Sequence, residues 1–363
     1  MTTMQLNKSR WHLSALGASM ILGAALVACG GGTLPAATPT ATTAAATAVA
    51  TASATPTVAF TGGPTTSFTL SGLVGTAGTY KLADLQALPV SKVSTNAKAG
   101  NGELGLHEYS GPLLIDLLNK AQVKIDSSKK NDAQRKAIVI TASDGYATTI
   151  AWGEIDQKLA NKKIMIAYQR DGQPLPDADG FARLIVPGDI AAGRYISNVA
   201  RIEVKDMGTV PTASDRKGST AFEVSGLVNT TGSIDAAKLA AIKHSDITVE
   251  TKDSDGKVTG KSVYGGVLLN DFLTAQGLKL DDKRKNDMIG LGILGIGSDG
   301  SSSMIVGGEI DPKFGNLQVL IATTKDGQPL APSDGFARLV VPGDIATVRF
   351  ISNLVKIEVL RLD

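Results

Sequence analysis

The chain has 363 residues, 43% of them hydrophobic but only 4% aromatic, and a length that suits about two domains. Setting aside Lys8 and Arg10 in the first 28 residues leaves 34 of the 36 basic residues against 34 acidic ones, which excludes the basic face of a nucleic-acid-binding protein and polybasic adhesion to a membrane. A single cysteine, Cys29, excludes an internal disulfide and any cysteine-based zinc or iron–sulfur site.

The chain opens with a short basic start and an apolar run from Leu13 to Ala28. Sixteen residues are few for a membrane span and suit a signal peptide, residues 1–28. The run ends Leu26-Val-Ala-Cys29, which resembles the lipobox of bacterial lipoproteins. That resemblance implies acylation of Cys29 and a lipid anchor in place of a transmembrane helix. Ser9-Arg10-Trp11 lacks a twin arginine, so the general secretory route is expected. Gly30 is not the acidic residue that usually signals inner-membrane retention, which points to an outer membrane where there is one.

Residues 29–66 join the cysteine to an uncharged stretch of Ala, Thr, Pro, Gly and Val. Such a stretch has little large apolar surface to bury and is expected to stay extended. At polyproline-like extension it would reach about 100 Å. It reads as a tether.

Beyond it the chain repeats. Asp171-Gly-Gln-Pro-Leu, Asp179-Gly-Phe-Ala-Arg-Leu, Val186-Pro-Gly-Asp-Ile, Arg194 and Ile202-Glu-Val return from Asp326 to Val359, with 24 identities over 34 ungapped positions. A match that long is a duplication. Phe68-Thr-Leu-Ser-Gly-Leu-Val and Phe222-Glu-Val-Ser-Gly-Leu-Val open the two copies, expected at 67–206 and 219–363 with a short polar linker at 207–218. The offset is 154 residues at this start and 155 later, which calls for one insertion.

Each copy predicts a β-rich α+β domain. Phe68–Val74 alternates as a strand. Leu113, Leu114, Leu117, Leu118 and Ala121 fall on one helical face, matched by Leu268, Leu269, Phe272 and Leu273. Lys136–Ala142, Ile164–Ala167, Arg183–Val186 and Val199–Val204 are short β-rich runs bounded by Gly, Pro and Asp. The apolar run Gly290–Gly297 also reads as a strand. Asp144-Gly-Tyr and Asp299-Gly-Ser predict hairpin turns.

The order of blocks then becomes specific. Tyr109-Ser-Gly-Pro-Leu leads into the helix. Ser143-Asp-Gly-Tyr, Gly172-Gln-Pro-Leu and Gly180-Phe-Ala-Arg-Leu-Ile-Val-Pro-Gly follow. Across both copies this resembles the molybdopterin-binding domain of the sulfite oxidase family. The resemblance implies a cysteine thiolate on molybdenum, in or near the stretch matching residues 92–106, and no cysteine stands there or at 246–262. Ser and Thr are no substitute for that soft ligand. It further implies a phosphate-binding Arg and Lys after the Pro-Gly block. Arg194 and Arg349 match the Arg, whereas Ser197 and Ser352 stand in place of the Lys. Asp179 and Asp334 replace the family's His. With the leader unlike that of proteins exported folded with their cofactor, no cofactor is expected, and molybdopterin is the alternative.

Four arginines remain as candidate ligand-binding residues: Arg194, Arg349, Arg183 and Arg338. For Arg194 and Arg349 a structural ion pair near a strand end is the preferred reading, and Arg183 and Arg338 in alternating strands are expected to be solvated or paired. Glu154-Ile-Asp and Glu309-Ile-Asp are carboxylates at i, i+2, off a common helix face, and suit capping or surface roles. Asp253-Ser-Asp-Gly begins like a calcium loop but lacks the later ligands. His107 and His244 are not repeated between copies and make no triad. No catalytic or metal-binding residue is assigned. The chain is read as a lipid-anchored, extracytoplasmic, non-catalytic binding or interaction module with an unknown small-molecule or protein ligand. The alternatives are a molybdopterin oxidoreductase with a non-cysteine metal ligand, and a structural spacer or adhesin. An arginine-lined pocket would count against the spacer.

Overall fold

The computed structural model describes residues 60–363 except 100, 101, 104, 208–217 and 254. Cys29, the leader and most of the tether lie outside the described residues. Each copy is built on a five-stranded sheet. In copy 1 the order is Gly78–Lys81, Ser67–Gly72, Val199–Asp206, Lys136–Ala142 and Ala147–Ala151. Copy 2 repeats it with Gly232–Asp235, Ala221–Gly226, Leu354–Arg361, Leu291–Gly297 and Ser302–Val306. The first and last long strands of each copy pair in parallel, Thr69 opposite Arg201 and Glu223 opposite Lys356, so the chain closes each domain on its own beginning. A second layer holds His107–Gly111 and Arg183–Ile185 in copy 1 and the long hairpin Ser245–Lys252 with Val258–Leu268 in copy 2. The architecture is the expected β-rich one with few helices. Among the described residues no helix is long and apolar enough to cross a membrane.

The sequence pattern explains the layering. Phe68 and Leu70 alternate with less buried neighbours and sit in the copy 1 core. The expected helix is Leu114–Lys120, and its stripe is buried through Leu114, Leu117 and Leu118. Lys136–Ala142 and Leu291–Gly297 do not alternate and are buried along their whole length. Continuous burial means that both faces are covered. Ile138 and Ile140 point into copy 1, whereas Ala137 and Val139 join Leu294, Ile296, Met304 and Val306 in a separate apolar cluster between the copies. Burying a side chain such as Val, Leu, Ile or Met contributes about 1.5–3 kcal/mol. That cluster fuses the copies into one compact unit. Met207, placed in a polar linker by the sequence, is 3% exposed and belongs to it.

Backbone bonds between loops complete the junction. Ile190 N–H donates to Phe314 O at 3.0 Å, and Ala346 N–H donates to Lys158 O at 2.9 Å. The copies part company at one hairpin. In copy 2 it runs on to a turn at Asp253, whose carboxylate accepts from the N–H groups of Asp255 and Lys257. In copy 1 the corresponding strand ends at Thr95, and Lys98 pairs instead with Ala191, its N–H donating to Ile190 O at 2.9 Å.

Candidate functional site

Arg194 and Arg349 are fully buried. Each grips one carboxylate with two nitrogens: Arg194 reaches Asp189 at 2.7 and 2.6 Å, and Arg349 reaches Asp344 at the same distances. The remaining Nη1 meets Glu154 at 2.9 Å in copy 1 and Glu309 at 2.8 Å in copy 2. Those glutamates also accept the N–H of Ala151 and Val306, capping the short helices Trp152–Ile155 and Gly307–Ile310. They cap, as the sequence suggested, but they are wholly buried and have no surface role.

The arginines also cross between copies. The Arg194 stem lies against Gly308 of copy 2, and the Arg349 stem against Gly153 of copy 1. A Cβ on Gly308 would collide with Arg194 Cδ and come within 3.0 Å of its Nε. One on Gly153 would come within 2.8 Å of Arg349 Nε. Arg194 and Arg349 therefore line no pocket, and the structure corrects their candidacy as ligand-binding residues. Bidentate pairing to a neighbouring Asp consumes the fork that would have bound an anion.

The charges of this cluster do not balance. Glu154, Asp189, Glu309 and Asp344 face Arg194, Arg349 and Lys162, whose Nζ lies 3.0 Å from Glu154. Burial pushes Glu154 up, but Arg194 and Lys162 outweigh it and hold the carboxyl at about 2. Leu317 occupies the position of Lys162 in copy 2. Without that cation, burial raises Glu309, and the nearby Glu154 charge adds to the rise. Burial raises Asp189 and Asp344 as well. Glu309 is paired with one cation where Glu154 has two, so burial prevails at Glu309 and not at Glu154.

A different place can receive a ligand. A cleft of about 640 Å³ opens in copy 1 where the Lys98 segment crosses the loop 190–193. Lys98, Arg183, Tyr195, Ser197 and Asn198 line one side. Lys285, Asn286, Lys313 and Phe314 of copy 2 supply the other. Tyr146 spans the seam: its hydroxyl donates to Gly193 O at 2.7 Å and accepts from Asn286 Nδ2 at 2.8 Å. Asp144, beside the hairpin turn, is the one carboxylate among the lining residues. Lys285 and Lys313 make no ion pair among the described residues.

Arg183 is the sequence candidate that reaches this cleft. Asp179 accepts from it and from Ser197, each at 2.7 Å. The residues standing where the family has His and Lys are thus tied to each other. Asp334 holds Arg338 and Ser352 in the same way, and the Arg338 guanidinium lies 5.4 Å from the Phe350 ring centre. The matching seam of copy 2 is bridged by an ion pair between Lys130 and Asp299. His107 pairs with Asp171 and His244 with Asp246, far apart in sequence and not brought together by any contact. The lysines of copy 2 were missed because their positions in the repeat carry no family motif. The one available signal was that Lys130 and Lys158 recur as Lys285 and Lys313.

Fold and cleft together define a tandem β-rich protein with a cationic cleft at the junction of its copies. The chain belongs to the oxidoreductase molybdopterin binding domain family, which matches residues 55–210 and again 207–363. Among solved structures it is similar to the sulfane dehydrogenase SoxCD from Paracoccus pantotrophus, with 13% identity and a TM-score of 0.32 over 82% of this chain and 77% of that one. No curated protein matches the sequence.

The double family match overturns the expectation that no cofactor is bound, and molybdopterin is the cofactor to which it points. The physical reason for the misjudgement is visible. Lysine is absent at Ser197, but positive charge reaches the cleft from Lys98, Lys285 and Lys313 instead. These residues fit the anionic, phosphate-bearing part of such a cofactor. They do not fit its molybdenum, since no thiolate lines the cleft. The Tyr195 hydroxyl is pushed up to about 12 by burial and stays protonated at neutral pH. Among the described residues no cluster of three His, Cys, Asp or Glu side chains could hold a metal ion.

Proposed function

We propose that this chain is a lipid-anchored, extracytoplasmic binding protein whose first copy holds a phosphate-bearing pterin of the molybdopterin class. Copy 2 serves as the second wall of the site. The observation that carries this reading is the convergence of Lys98, Arg183, Lys285 and Lys313, drawn from both copies, on one cleft of about 640 Å³. Lysine suits phosphate as a compact charge, and such a volume suits a small-molecule cofactor. The same cleft disfavours the purely structural spacer. The non-catalytic part of the reading rests on the donor set, which offers oxygen and nitrogen but no sulfur. The anchor rests on the Leu26–Cys29 sequence.

The test is expression of the full chain in a host that makes molybdopterin, followed by pterin fluorescence and molybdenum mass spectrometry on the purified protein. The expected result is about one pterin per chain, falling at least tenfold in a Lys285→Glu/Lys313→Glu variant. Absence of pterin from the wild-type protein sinks the reading. Stoichiometric molybdenum with turnover of an artificial electron acceptor would replace its non-catalytic part with an oxidoreductase. Labelling with radioactive palmitate, abolished by Cys29→Ser, tests the anchor.

A further inference from the structure

A second pocket, of about 460 Å³, lies in copy 2 between the helix Ala236–Ala240 and the strands Val258–Leu268 and Leu320–Lys325. Its walls are apolar, formed chiefly by Leu239, Ile242, Val267, Leu330 and Phe336. Two polar side chains join them. His244 places Nε2 3.1 Å from Asp246, and the Thr323 hydroxyl makes no hydrogen bond among the described residues. His244 is the one titratable side chain among the lining residues. The size and the lining are those of a small-molecule site.

Copy 1 shows what has been removed. Tyr168 stands at the position of Thr323, Leu82 at that of Ala236 and Gln86 at that of Ala240. Tyr168 is 9% exposed and belongs to the copy 1 core. Three large-to-small differences therefore meet around one pocket, while the surrounding strands and the helix are retained. Protein interiors are packed without ring-sized voids, and removing a core ring without replacement is costly. An apolar recess of this size, open to solvent on one side, suits a small aromatic molecule.

We infer that copy 2 carries a second ligand site, for an uncharged aromatic molecule bearing one hydroxyl or similar hydrogen-bonding group. Its ring takes the space that the Tyr168 ring fills in copy 1. Its polar group meets the Thr323 hydroxyl and His244. The lining has no cation to favour an anion and no carboxylate to favour a cation. This site is separate from the cleft of copy 1, and neither depends on the other.

The experiment titrates the full chain with 1-N-phenylnaphthylamine, a neutral aromatic whose fluorescence rises when it leaves water. Saturable binding of about one molecule per chain is expected. Ala236→Leu and Thr323→Tyr should each weaken it at least tenfold in protein shown by circular dichroism to be folded. Copy 1 already accepts both side chains on the same backbone. Should Thr323→Tyr fail to fold, Ala236→Leu decides alone, since copy 1 carries Leu82 there 40% exposed. Non-saturable binding, or unchanged affinity in a folded variant, overturns the inference. Phenol should displace the dye, and equal displacement by benzoate overturns the assignment to uncharged ligands.

Discussion

Replacing Gly308 with alanine adds one methyl group at the tightest point of the junction. That methyl would meet Arg194 Cδ, lie within 3.0 Å of Nε and 3.4 Å of Cγ. A flexible arginine elsewhere could swing away. This one is fully buried and held by Asp189 at 2.6 and 2.7 Å and by Glu154 at 2.9 Å. Gly308 cannot retreat either, because it sits in the buried helix Gly307–Ile310 packed on the junction. Overpacking at a site that cannot relax costs about 1–3 kcal/mol. The upper half of that range is expected here, since any shift of Arg194 also lengthens buried ionic hydrogen bonds. For a unit of this size, that corresponds to a fall in Tm of roughly 3–5 °C. Calorimetry of Gly308→Ala beside Gly78→Ala reads it. No atom lies within 4 Å of a Cβ at Gly78, so that variant should stay within about 0.5 kcal/mol of wild type. Equal stability of the two variants would refute the claim that Arg194 docks one copy on the other.

The other expectations concern the same cluster and the seam beside it. Arg349→Met leaves Glu309 and Asp344 buried without their cation, and should cost about 3–5 kcal/mol by urea unfolding. Glu309 has its folded pKa raised and Glu154 has it lowered, so their pH dependences run oppositely. The Glu309 contribution is full below the unfolded carboxyl value, near 4.3, and declines as pH rises from there through the higher folded value. The Glu154 contribution is full above the unfolded value and declines as pH falls from there towards about 2. Leu317→Lys gives copy 2 the cation that Lys162 supplies to copy 1. It should remove the Glu309 share of the decline on the high-pH side and stabilise the protein by about 1.5–3 kcal/mol at pH 8, with little gain at pH 4. A gain of equal size at both values would show that Glu309 carries no extra proton. Tyr146→Phe deletes the hydroxyl that bonds Gly193 in copy 1 and Asn286 in copy 2, and a loss of about 1–2 kcal/mol is expected by thermal unfolding.

Much of the fold was legible because it is written in short-range pattern. Phe68 and Leu70 alternate, Leu114, Leu117 and Leu118 recur at helical spacing, and Asp144-Gly145 marks a hairpin. The run Gly290–Gly297 announced a strand by being uniformly apolar. The structure adds that both its faces are buried, one of them against the other copy. What could not be read was which repeated residues face inward. Arg194 and Arg349 match a family position and were candidates for an anion site beside the preferred reading of a structural ion pair; their partners could not be named, since they lie 40 and 5 residues away and pair only once the loops have folded. The cleft was illegible for the opposite reason. One wall of it comes from copy 2, through Lys285, Asn286, Lys313 and Phe314, and no local pattern connects Lys313 with Ser197.

The differences between the copies say more about function than the identities do. The identities, Asp-Gly, Pro-Gly and the Arg–Asp forks, hold the backbone and the junction, and they would be retained whatever the protein bound. Some of the differences fall where a ligand could sit. Tyr195 in the copy 1 cleft becomes Phe350, which lies under Arg338. Tyr146, which spans the seam of copy 1, becomes Ser301, and there Lys130 pairs with Asp299. Tyr168 becomes Thr323, and an apolar pocket opens in copy 2 instead. Lys162 becomes Leu317, so even the shared junction is charged unequally. Here the phenol and lysine chemistry is retained at the copy 1 cleft, while copy 2 supplies its far wall and a separate apolar cavity. One fold used twice thus presents two unlike recesses, a cationic cleft at the junction and an apolar pocket in copy 2.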